Sequence, residues 1–109
     1  MKNKPVIARE LAGRDVNDAI GHYLKEAGEP AALGFVDDLE RAYAHISRHP
    51  DTGSPRYAHE LNLPGLRAWS LKRYPYLVFY VNRADHIDVW RVLQGRRDIP
   101  EWLVETQDW

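Results

Sequence analysis

Residues 66–100 read LRAWSLKRYPYLVFYVNRADHIDVWRVLQGRRDIP, and this stretch decides the fold. Tyr76 to Val81 (YLVFYV) is an unbroken run of aromatic and branched residues. Such a run suits a strand covered on both faces, and hence a central one. Asn82-Arg83-Ala84-Asp85 supplies turn residues, and His86 to Leu93 resumes as a second strand rich in Ile, Val and Trp. Leu66 to Lys72 makes a third, with Tyr74-Pro75 breaking the run, because proline cannot donate to a ladder. The stretch predicts a three-stranded antiparallel meander.

Working outward, Lys4 to Arg9 (KPVIAR) is short and β-prone, with Pro5 arguing for an edge. Asp15 is the expected N-cap of a first helix, Asp15 to Ala27, whose apolar positions Val16, Ile20, Tyr23, Leu24 and Ala27 recur at helical spacing. Gly28 ends it, and Pro30 opens a second helix running to Arg48. Phe35 or Val36, Leu39, Tyr43 and Ile46 form the stripe of that helix, and Asp37, Asp38, Glu40 and Arg41 are expected to face water. The short joint implies a helical hairpin packed on one face of the meander. Asp51 to Gly65 reads as a long loop with a short turn of structure near Tyr57 to Leu61, and Glu101 to Glu105 as a short terminal helix. The expected class is α+β, in the order β-α-α-β-β-β, a helical hairpin on a small, largely antiparallel sheet. Residues 1–109 form one domain.

Charge is unevenly spread. Residues 56–100 carry eight Lys or Arg against four Asp or Glu, whereas residues 1–55 balance to −2 and 101–109 to −3, giving the net of −1. The basic meander is therefore the face expected to meet an acidic partner. There are no cysteines, which excludes disulfides and thiol chemistry. No apolar run approaches the roughly 20 residues that span a bilayer. The start, MKNKPVIARE, lacks the apolar segment of a signal peptide, so a soluble cytoplasmic protein without membrane contact is expected.

Leu63-Pro64-Gly65-Leu66-Arg67, Tyr76-Leu77-Val78-Phe79-Tyr80, and Val89-Trp90-Arg91-Val92-Leu93 running into Gly95-Arg96-Arg97-Asp98-Ile99-Pro100 occur in this order and spacing, with Pro50…Gly53-Ser54-Pro55-Arg56 before them. Together they resemble the ParE branch of the RelE/ParE toxin superfamily across nearly the whole chain. Gln94 departs from the pattern, standing where members often have His. The resemblance implies the toxin of a two-gene toxin–antitoxin module, held inactive by a ParD-like antitoxin. It implies poisoning of DNA gyrase by trapping its cleaved-DNA complex. RelE relatives instead cut messenger RNA at the ribosome, and fold alone does not choose between the two.

RNA cleavage needs a proton carrier beside its cations. Lys72, Arg73, Arg91, Arg96 and Arg97 can steady a phosphate, but Trp102 lies where a late Tyr would fall, Gln94 is inert, and Tyr76 and Tyr80 belong to the central strand. No catalytic residue is assigned, and a protein-binding inhibitor is expected rather than an enzyme. A RelE-like nuclease and a non-toxic member that keeps only antitoxin binding are the alternatives. Target contact is assigned to Arg67, Arg91, Arg96 and Arg97, and antitoxin contact to Trp69, Trp102 and Trp109, because aromatic residues dominate hot spots. Arg91 has two readings: a guanidinium on the open face of the sheet, or a structural cation paired to Asp88, Asp98 or Glu60 or snorkelling from an edge. His45 and His49 have zinc-compatible spacing but no third ligand, so they read as a solvated helix end, and no metal or cofactor is expected. Without a stacking motif and at a net charge of −1, independent nucleic-acid binding is not expected either.

Overall fold

The computed structural model describes residues 3–95. The expectations for Arg96, Arg97, Trp102, Trp109 and the 101–105 helix lie outside the described residues. Seven elements follow in order: β1 (Val6–Ala8), α1 (Glu10–Glu26), α2 (Glu29–Arg48), α3 (Arg56–Leu61), β2 (Leu66–Ser70), β3 (Tyr76–Asn82) and β4 (Ile87–Gln94). The sheet order is β1-β4-β3-β2, with β2, β3 and β4 antiparallel and β1 parallel to β4. This is an α+β fold, and the predicted meander is present almost residue for residue.

Both faces of the sheet are covered, as the YLVFYV run requires. On one face the hairpin of α1 and α2 brings Ala12, Ala19, Phe35, Leu39 and Ile46 against Tyr76, Val78, Tyr80, Val89 and Val92. On the other, Tyr57, Ala58 and Leu61 of α3 pack with Leu63 over Leu66, Phe79, Val81, Trp90 and Leu93. The turn expected near Tyr57 to Leu61 is thus a full short helix that closes the second face. The hairpin itself is a sharp reversal. Gly28 sits at φ +91° between the helices, a conformation that side-chain-bearing residues rarely adopt.

Two boundary expectations are corrected. The first helix begins at Glu10, five residues before the expected cap, with Arg9 extended at its N-terminus. Asp15 caps nothing. It lies within α1, and its carboxylate reaches across to β4 instead. The acidic face of α2 is corrected too, because Asp38 is buried. Its Oδ2 accepts from the backbone N–H groups of Arg73 (2.8 Å) and Tyr74 (3.0 Å), so it fixes the β2–β3 turn on the helix rather than meeting water. Asp37 and Glu40 are exposed as expected.

A bulge interrupts the β3–β4 ladder. Tyr80 pairs with Val89 but Phe79 pairs with Arg91, so Trp90 is the extra residue. Ile87, Val89 and Val92 consequently face the hairpin while Trp90 and Leu93 face α3. Simple alternation along β4 does not hold through the bulge.

Candidate functional site

Three arginines of the meander, Arg91, Arg83 and Arg67, are each held in a different way. Arg91 is the most enclosed, with a side chain 5% exposed. Its Nε and Nη2 donate to the two carboxylate oxygens of Asp15, each at 2.8 Å, and Asp15 Oδ2 also accepts from Val92 N–H at 3.0 Å. β1 ends at Ala8, opposite Val89. Asp15 therefore satisfies a backbone donor on the stretch of β4 that has no strand beside it. The open-face reading of Arg91 is corrected: it is the structural cation of the two readings, held by a carboxylate none of the sequence arguments proposed. A fork-to-fork pair at this depth positions α1 on the sheet and leaves the guanidinium no free face for a target.

Asp88 organises the second arrangement. Arg9 donates to both its oxygens (2.9 and 2.8 Å), while Arg83 Nε and Nη2 and Trp90 Nε1 all donate to Oδ2 at 3.1 Å. Burial by itself would raise the carboxyl, but donation from Arg9, Trp90 and Arg83 outweighs it and lowers the pKa to about 2. Trp90 is accordingly a core residue, with its indole N–H satisfied.

Arg67 braces a loop. Its Nη1 donates to the carbonyls of Asp51 (3.0 Å) and Gly53 (2.8 Å), and its side chain is 29% exposed. Tyr80, in the core, works on the same loop from below. Its hydroxyl donates to Pro50 O at 2.8 Å and accepts from Gly53 N–H at 2.9 Å. Gly53 lies so close that an added Cβ would stand 2.7 Å from that hydroxyl and 2.9 Å from Arg67 Cβ. The Pro-to-Gly loop seen in the sequence is thus a pinned backbone segment, and Arg67 keeps part of its guanidinium at the surface.

Trp69 on β2 is half-buried, stacked on His45 of α2 with ring centroids 4.5 Å apart and planes 12° from parallel. His45 Nε2 lies 3.1 Å from Thr52 Oγ1. His45 is therefore a packed helix residue rather than a solvated end, and no group of His, Asp or Glu able to hold a metal ion occurs among the described residues. Of the site residues read from sequence, Arg67 and Trp69 occupy β2, Arg91 is enclosed on β4, and the three are not gathered into one cluster. Missed were Asp15, Asp38 and Arg9, whose partners lie at least 35 positions away in the chain. No local pattern marks such pairs. No helix of the described residues is long and apolar enough to cross a membrane.

The family described as "ParE toxin of type II toxin-antitoxin system, parDE" matches residues 6–99. Among solved structures, the chain is similar to one titled "Chromosomal ParDE TA system from P. aeruginosa". The TM-score is 0.69 at 20% identity, over 84% of this chain and 95% of that one. No curated protein matches. The solved structure supports the fold, and the family match spans both the hairpin and the meander. The chain belongs to the ParE toxin family of type II toxin–antitoxin systems.

Proposed function

We propose that the protein is an antitoxin-controlled inhibitor of DNA gyrase that acts by binding and trapping the cleaved-DNA complex, not by catalysis. Membership of the ParE family supports this target over the ribosome, and the placement of the tyrosines supports a non-enzymatic mode. Tyr76 and Tyr80 are buried in the helix-side core, and the Tyr80 hydroxyl already serves Pro50 and Gly53. Burial, as the largest effect, raises its pKa. Neither tyrosine is placed to exchange a proton with an RNA strand over the sheet. That observation carries the choice of inhibitor over nuclease. The cytoplasm is the compartment where such a target is met.

In this reading a ParD-like antitoxin folds on the toxin as it binds, burying apolar surface. Trp69 is the described residue best placed as an anchor, with Trp102 and Trp109 as the further candidates. Target contact falls to Arg67, Arg96 and Arg97. Arg91 leaves that group because its pair with Asp15 holds the fold.

The test adds antitoxin-free protein to gyrase, ATP and supercoiled plasmid, followed by denaturation and electrophoresis. Accumulated linear or nicked DNA that disappears on adding antitoxin is the expected result. Normal supercoiling with no cleavage product sinks the gyrase reading.

A further inference from the structure

A cleft of about 360 Å³ lies between the C-terminal half of α2 and the β2–β3 turn. Arg41, His45 and Arg48 line it from the helix, and Trp69, Lys72 and Arg73 from the strand and turn. The exposed Arg41 pairs with Asp37 at 3.0 Å, and Arg48 Nε makes one long bond (3.4 Å) to the Ala44 carbonyl. The side chains of Lys72 and Arg73 have no hydrogen-bond or ion-pair partner among the described residues. The carboxylate at the cleft, Asp38, is committed to the Arg73 and Tyr74 amides.

Those two amide bonds, with the Tyr74 hydroxyl donating to Ala31 O at 2.7 Å, pin the turn to α2 at two points. Unpaired cations are thus presented on a held backbone rather than on a loose loop. We infer that this cleft is a binding site for a small phosphate-bearing molecule of about mononucleotide size. The cations take the phosphate and the stacked His45–Trp69 pair forms a wall for a planar group. Its volume falls within the roughly 300–1,000 Å³ of small-molecule sites, and guanidinium forks suit phosphate oxygens. Burial, then the neighbouring His49, Lys72 and Arg48, holds the His45 pKa down.

A nucleic-acid strand is a poorer fit. A backbone needs a track of cations, and Arg9, Arg83 and Arg91 are taken up by Asp88 and Asp15 while Arg67 braces its loop. The inference is independent of the gyrase reading.

The experiment is calorimetric titration of the full chain with ADP, and separately with inorganic pyrophosphate. Binding with Kd below about 1 mM is expected. The double variant Lys72→Ala/Arg73→Ala and the charge reversal Arg48→Glu, on a different element, should each weaken it by about tenfold or more. Arg14→Ala, which removes an exposed cation paired to Glu10 away from the cleft, should leave it unchanged. No heat from either ligand at millimolar concentration, or undiminished affinity in both cleft variants, overturns the inference. An oligothymidylate that binds more tightly than ADP also overturns it and assigns the cleft to a strand.

Discussion

Arg91 and Arg73 come from the same basic stretch, yet they end in opposite circumstances. Arg91 is enclosed, with its fork filled by Asp15. Arg73 stands exposed on a turn that a different aspartate holds by its backbone, leaving the side chain uncommitted. One carboxylate neutralises a cation and the other presents one. The excess of +4 over residues 56–100 therefore overstates the charge available to a partner. What an arginine can do for binding depends on whether a carboxylate reaches its side chain or its amide.

This contrast can be broken first at the seam. Asp15→Ala leaves the buried Arg91 charge without its partner and orphans the Val92 N–H, and should cost about 3–5 kcal/mol in denaturant unfolding. A loss below about 1 kcal/mol would mean that solvent reaches the pair. Next in size is Asp38→Ala, expected to destabilise by about 1–3 kcal/mol because two amides lose their acceptor. Removal of the Lys72 and Arg73 side chains should change stability by no more than about 0.5 kcal/mol each. Equal losses from Asp38→Ala and Arg73→Ala would show that the side chain, not the amide, anchors the turn.

The Asp88 cluster gives a pH signature. Its folded pKa, about 2, lies below the ordinary carboxylate value. Its contribution is therefore fully present above about pH 4 and is lost as pH falls toward 2, amounting to roughly 2 kcal/mol. Acid titration of unfolding free energy should show this loss, and Asp88→Asn should remove the slope.

An effect of opposite sign concerns Tyr43. Its hydroxyl is buried with no partner among the described residues, and burial, followed by the charge of Asp15, raises its pKa to about 12. Tyr43→Phe should leave stability unchanged or raise it by up to about 1 kcal/mol. A clear loss would reveal a hydrogen bond through water.

The legible parts of the chain were those with local causes. YLVFYV announces a central strand because a continuous apolar run has nowhere else to go, and Gly28-Glu29-Pro30 announces a hairpin because only certain backbones accept those residues. The start of α1 was hidden because Asp15 has the chemistry of a cap, and Gly13 weakens the turn before it. What overrode local preference was a partner 76 positions away. The parallel pairing of β1, the bulge at Trp90 and the clamp at Asp38 are likewise long-range. The site reading shared that limit, since it proposed arginines by type and could not tell that Arg91 was already taken by Asp15.

The parallel pairing of β1 with β4 also sets an order of events during synthesis. Arg9 and Asp88, which tie the start of the fold to its last described strand, are 79 positions apart. β1 is made before β4 and has no ladder to join until β4 follows it, so the sheet cannot close until the helices and the meander have been translated. A ribosome that stops before β4 releases a fragment without a finished sheet, and only a chain that extends through β4 can assemble the architecture described above.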